Sequence, residues 1–372
     1  MQPDFQRDVC CVLGLPFDLV TQAQAEARLQ AAARGRTRCF FTTPNLNFAV
    51  ACFTDAEFRA SVLQSDLSLA DGWPIVAIAR LLGIRLPERV AGASLFEGLC
   101  ARGDAAPMKV YFFGGPDGAA QAACERINTS ANGMRCVGFD SPGFGSVDEM
   151  SDAARLEQLN ASGADLVVVS LGAKKGQAWI QRNLSRISAP LVSHLGAVVN
   201  FAAGTVARAP AWVQGLRLEW LWRISEEPAL WRRYARDGGA LLGLMVTHVL
   251  PHAVYLRFRR LSKRAVSDPQ AVVERVADRT VIRLAGACTR DNLRALRDLL
   301  QTQTSHGQPI ELDLSGVSFL DGSAIGLLAL LHGWNMRLEA TRTVADVSPS
   351  ARRMLRWAGA EYLLGAAGAV QS

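Results

Sequence analysis

None of the eight cysteines of this 372-residue chain belongs to a CxxC pair. No histidine stands at metal-ligand spacing from any of them, so the sequence offers neither a zinc site nor a disulfide framework. Free, buried thiols in a reducing cytoplasm are the expectation. The first sixteen residues carry Asp4, Arg7 and Asp8 and lack an apolar core, which leaves no secretory signal to read there. Neither a full GxGxxG nor a Walker A sequence occurs, which disfavours standard NAD and ATP sites. There is no DxD pair to hold a metal beside a diphosphate, no internal repeat and no low-complexity tract.

What is present is a folded chain, 49% hydrophobic and only 20% charged, too long for one ordinary core. The net charge of +6 is unevenly placed. Residues 208–264 hold eleven Lys/Arg against Glu219, Glu226, Glu227 and Asp237, a local +7 on an otherwise near-neutral body. A basic segment of this kind suits anionic lipid or phosphate. Nucleic acid is the weaker reading, because no nucleic-acid-binding motif accompanies the charge.

The first two hundred residues alternate short apolar runs with amphipathic stretches. Strands are expected at 38–42, 67–69, 110–114, 135–139, 166–171 and 191–194, and helices at 55–65, 118–128 and 147–162. That alternation predicts a Rossmann-like parallel sheet with helices on both faces. Ligands of such sheets sit beyond the carboxyl ends of the strands. Gly114 and Gly115 follow one strand and precede a helical pattern, a unit that can offer backbone N–H groups to a phosphate or merely turn the chain.

Beyond 207 the texture changes to Arg, Trp and Leu at helical spacing. Residues 238–256 then run for nineteen positions without a formal charge, at the lower length limit of a spanning helix. Thr247, His248, Pro251 and His252 are costly at mid-bilayer, and both flanks are basic. A monotopic or kinked helix in the membrane interface is the expectation, and a core helix the alternative. The polar stretch 262–270 reads as a linker. After it, strands at 272–276, 280–284 and 310–314 and helices at 293–303, 324–332 and 350–358 form a second, smaller α/β unit.

Four polar side chains follow strand or turn signals near the N-terminus: Thr43 and Asn45 in FTTPNLNF, Asp71 in LADGWP, and Arg89 in PERVAG. A carboxylate at a strand end can serve as a general base. Asp and Asn also favour turns and caps, so pattern alone leaves both roles open.

The run from TPNLNF through LADGWP to ERVAG resembles the WecG/TagA/CpsF glycosyltransferases. So do VYFFGGPDG, SLGAKKGQAWI and ARAPAWVQGLRLEWLWRISEEPALWRRY, in order, over about residues 10–236. The resemblance implies metal-independent, cofactor-free, inverting transfer of a sugar from a UDP-sugar to a polyprenol-diphosphate-linked acceptor, on the cytoplasmic face of the inner membrane. It implies Asp71 as the base, Thr43 and Asn45 as pocket residues, and Arg89 as a substrate contact. Gly114, Gly115, Gly172 and Gln177 would line the nucleotide side. Arg223, Arg232, Arg233 and Arg236, from an appendage that folds over the site and touches the membrane, would meet the leaving diphosphate. Some positions depart from the family pattern. Where it reads P-K-Q-E, this chain has Lys174, Lys175, Gly176 and Gln177. Asn200 and Ser94 stand where Asp is usual. A catalytically inactive sugar-nucleotide-binding or scaffold protein is therefore the alternative.

ELDLSGVSFLDGSAIGLLALL and VSPSARRMLRWAGAEYLL resemble a STAS domain. That implies a module for binding a protein partner, with Ser323 matching a phosphorylated serine. Added phosphate at a helix start would be tolerated by the helix dipole. The expected organisation is a transferase core at 1–207, a basic helical appendage at 208–261, a linker at 262–271 and a STAS-like domain at 272–372.

Overall fold

In the computed structural model the described residues are 3–102, 106–130, 133–207, 209–228, 230–261, 269–276, 278–340 and 342–365. The chain opens with a hairpin that the apolar patterning does not announce. Its strands, β1 (Val9–Val12) and β2 (Leu15–Asp18), pair antiparallel around Leu13 and Gly14. Both turn residues have positive φ, 50° and 77°, which suits the twist of a two-residue hairpin.

The six expected strands all form, with ends shifted by a residue or two. They are β3 (Cys39–Thr42), β4 (Leu67–Ser68), β5 (Met108–Gly114), β6 (Met134–Asp140), β7 (Leu166–Ser170) and β8 (Leu191–His194). All neighbours are parallel, in the order β4-β3-β8-β7-β5-β6. Alternate residues face opposite sides. Phe41, Val110, Phe112, Leu166, Val168 and Leu191 enter one core, and Phe40, Tyr111, Phe113, Val167, Val169 and Val192 the other. Burial on both faces explains the near-continuous apolar runs.

One cysteine expectation is corrected. Cys124, on the helix Ala119–Ser130, and Cys136 on β6 form a disulfide, with Cα atoms 5.1 Å apart. Twelve residues separate them, and only the packing of that helix on β6 brings them together. The other six cysteines are free, five of them buried.

The appendage ends in one long helix, Leu230–Arg259, long and apolar enough by length and composition to cross a membrane. A π-helical turn at Met245–Val249 interrupts it just before Pro251, whose ring cannot continue a regular ladder. One face is docked on the core through Leu241, Leu244, Met245, Val249, Ala253 and Leu256. Asn47 donates to the buried Asp237 carboxylate at 3.0 and 3.2 Å and pins the near end. The opposite face exposes Leu242, Val246, Leu250, Val254 and Phe258, spaced every four residues.

The second unit has strands β9 (Gln270–Val276), β10 (Arg279–Cys288), β11 (Ile310–Leu320) and β12 (Val344–Val347) in the order β12-β11-β10-β9, with only β9 antiparallel. The expected linker lies mostly at 262–268, outside the described residues. This unit does not stand apart from the first. Its helix Gly322–Arg337 is buried along most of its length, one side lying against β1. Phe5, Val9 and Cys11 belong to its hydrophobic core.

The approach between the units is close enough to require glycines. A Cβ on Gly333 would stand 2.2 Å from the Leu63 carbonyl oxygen, and one on Gly326 3.0 Å from the Cys10 backbone. Polar contacts line the same seam. The Tyr362 hydroxyl donates to Gly14 O at 2.8 Å, and Arg297 Nη1 donates to Arg7 O at 2.7 Å. Ser323, which the resemblance matches to a phosphorylated serine, is buried at 6% exposure.

Candidate active site

The carboxyl ends of four sheet strands converge on one cavity of about 380 Å³. Thr43 and Asn45 come after β3, Asp71 after β4, Gly172 after β7, and His194 to Asn200 from the end of β8 onward. The appendage closes the far side with Glu219, Trp222, Arg223, Glu227 and Arg233.

The backbone fixes the Asp71 loop in three places. Asp71 N–H donates to Pro44 O at 3.1 Å, Leu69 N–H to Thr42 O at 2.9 Å, and Val90 N–H to Ala70 O at 2.9 Å. Gly72 follows at φ 104°, a conformation that favours glycine, and starts the helix Trp73–Leu81. The Asp71 carboxylate accepts from the Gly92 N–H at the start of the helix Gly92–Ala101. Burial raises its pKa to about 6, against the opposing pull of Arg89, the Gly92 N–H and Arg223, while Glu219 adds to the rise. A carboxyl group tuned near neutrality can accept a proton during reaction.

Asn45 caps the helix Leu46–Thr54, accepting from Phe48 N–H at 3.2 Å, and still lines the cavity. The cap and the cavity lining are thus compatible at one residue. Thr43 is buried, its Oγ1 close against Gly92. Arg89 pairs with Glu219 at 2.8 Å, an ion pair without the alignment of a good hydrogen bond. Arg223 and Arg233 reach the cavity. Arg232 lies over Trp231, and it and Arg236 are exposed away from the lining.

Three nucleotide-side expectations land elsewhere. Gly114 and Gly115, at φ 90° and 102°, back against Leu171 and Val199 and are packing positions. Gln177 is buried at 1% exposure, off the cavity, with both amide atoms unpartnered. His194, Glu219 and Glu227 line the cavity without having been singled out. His194 ends a recognised strand, which was the available signal. Among the described residues no three His, Cys, Asp or Glu side chains gather as a metal site.

A parallel α/β sheet thus brings a carboxylate at a strand end and two arginines of the appendage to one cavity. A family model described as Glycosyl transferase WecG/TagA/CpsF family matches residues 10–253, and the chain belongs to that family. A second, described as Mlab, STAS domain, matches 271–365. The chain is 27% identical over 194 residues to an N-acetylglucosaminyldiphosphoundecaprenol N-acetyl-beta-D-mannosaminyltransferase of Bacillus spizizenii, covering 52% of this chain and 74% of that protein. A protein of the same description from Bacillus subtilis (strain 168) is 25% identical over 192 residues, covering 52% and 73%.

Proposed function

We propose that the protein transfers a sugar from a UDP-sugar to a polyprenol-diphosphate-linked acceptor with inversion, in the synthesis of a bacterial surface or exported polysaccharide. The relatives' names, which describe transfer to a diphosphoundecaprenol-linked amino sugar, support the acceptor class. The carrying observation is Asp71, its pKa raised to about 6, across one cavity from Arg223 and Arg233. In this reading Asp71 takes the proton of the acceptor hydroxyl as its oxygen attacks the anomeric carbon. The carbon–oxygen bond to the diphosphate breaks, and the two arginines stabilise the charge that develops there.

The exposed stripe from Leu242 to Phe258, with Leu81 beside it, supports a monotopic seat on the cytoplasmic face of the membrane. A helix whose other face is committed to the protein can bury one side in lipid without crossing it. For the STAS-like unit, the buried helix Gly322–Arg337 supports an internal role. That helix braces the hairpin, and Trp357 on the unit's helix Pro349–Trp357, 5.4 Å from Tyr255 between ring centroids, steadies the appendage.

Purified protein incubated with a panel of UDP-sugars and a polyprenol-diphosphate acceptor should release UDP only when both substrates are present. Binding of a UDP-sugar without turnover under any pairing would instead support the inactive alternative, which rests on Gly176 and Asn200.

A further inference from the structure

Gly176 carries no side chain on the face of its helix that meets the last sheet strand. The space is filled from the neighbouring strand. A Cβ on Gly176 would stand 2.3 Å from Cδ2 of His194, and one on Gly196 3.2 Å from both Cε1 and Nε2 of the same ring. Two glycines thus make room for one imidazole, which Phe48 flanks at 6.1 Å between ring centroids.

The ring's orientation and tautomer are fixed. Its Nε2 lies 2.7 Å from Leu171 O, and a carbonyl can only accept, so Nε2 carries the hydrogen. Burial lowers the His194 pKa, which keeps the ring neutral near pH 7. Nδ1, with no partner among the described residues, is then the ring's free acceptor, and the residue lines the cavity beside Gly172 and Asn200. The neighbouring Gln177 offers the cavity no amide, because it is buried off the lining.

The geometry points to His194 as a specificity-determining residue of this site, its Nδ1 accepting a hydrogen bond from an N–H or hydroxyl of the bound sugar nucleotide. This rests on the proposed transferase reading and names a contact particular to this chain. An unmatched donor on a buried ligand loses roughly one hydrogen bond's worth of affinity, about tenfold.

The test measures UDP-sugar binding by calorimetry, and KM and kcat for transfer. His194→Phe keeps the ring and removes both nitrogens, and should weaken donor binding about tenfold, as a rise in KM larger than any fall in kcat. Gly176→Ala, which displaces the ring without altering it, should do the same. The double variant Gly176→Gln/His194→Gly, which fills the vacated space with another hydrogen-bonding side chain, should bind more tightly than His194→Phe. Thermal melts identify any variant that fails to fold, and the double variant then decides. Wild-type donor affinity in folded His194→Phe, or no gain in the double variant, overturns the assignment. Failure of wild type to bind or use any UDP-sugar would instead overturn the transferase reading beneath it.

Discussion

Glu219, on the appendage, holds Arg89 of the core at 2.8 Å, and both bear on the charge of Asp71. Arg89 favours the carboxylate and Glu219 opposes it. The appendage therefore helps to set the proton affinity of the carboxylate it covers. Because Asp71 must be ionised to accept a proton, kcat/KM should fall as pH drops through about 6, the value to which burial lifts it. Removing the Glu219 charge makes ionisation easier, so Glu219→Gln should move this acid limb to lower pH. Arg89→Gln should move it to higher pH. The check is kcat/KM measured from pH 5 to 8, and an unmoved limb in both variants argues against Asp71 as the titrating group.

Asp71→Asn keeps the shape of the loop and removes the base. Turnover should fall by about two to four orders of magnitude, the usual contribution of a positioned general base. UDP-sugar affinity should change little, since the arginines across the cavity remain. Turnover within tenfold of wild type would assign the chemistry elsewhere.

The sheet was legible because its strands are buried on both faces and read as apolar runs such as Val110 to Phe113. The cavity was legible where polar residues directly follow such runs, as Thr43 and Asp71 do. The hairpin was not, because it is buried on both faces, Val9 and Cys11 in a core built some three hundred residues away and Cys10 and Val12 in the core of the first unit, and no local period encodes that. The Cys124–Cys136 pairing and the seating of His194 between Gly176 and Gly196 likewise depend on packing between elements. Gln177 shows the converse. The family resemblance put it beside the site, and the helix Ala173–Asn183 turns it inward.

Tight seams fail by overpacking. Gly333→Leu places side-chain atoms where the Leu63 backbone already lies, and Gly326→Val does so against Cys10. Each should cost about 1–3 kcal/mol or part the two units. Limited proteolysis and thermal melts should report looser coupling, and Ser323 should become accessible to labelling of the whole chain. An equal substitution at Gly239, which is exposed, has open space around its Cβ direction and lies outside the left-handed region, is the control. If Gly333→Leu melts like wild type and stays protease-resistant, the docking of the STAS-like unit is not tight in solution.

The proposed membrane attachment by a half-docked helix would have two separable parts, which respond differently to salt. The apolar part is the stripe of Leu242, Val246, Leu250, Val254 and Phe258, exposed between 44 and 70%. Replacing Val246 and Phe258 together with Ser should weaken sedimentation with vesicles at any ionic strength, because apolar burial is not screened. The docked face is untouched, so the melt should hold. The charged part is the cluster of arginines around the helix. Replacing Arg232 and Arg236, which lie off the cavity, with Gln should weaken binding to anionic vesicles at low salt. It should have little effect near physiological salt, where the Debye length is about 8 Å. Undiminished lipid binding in both double variants would mean that the exposed stripe faces something other than a bilayer.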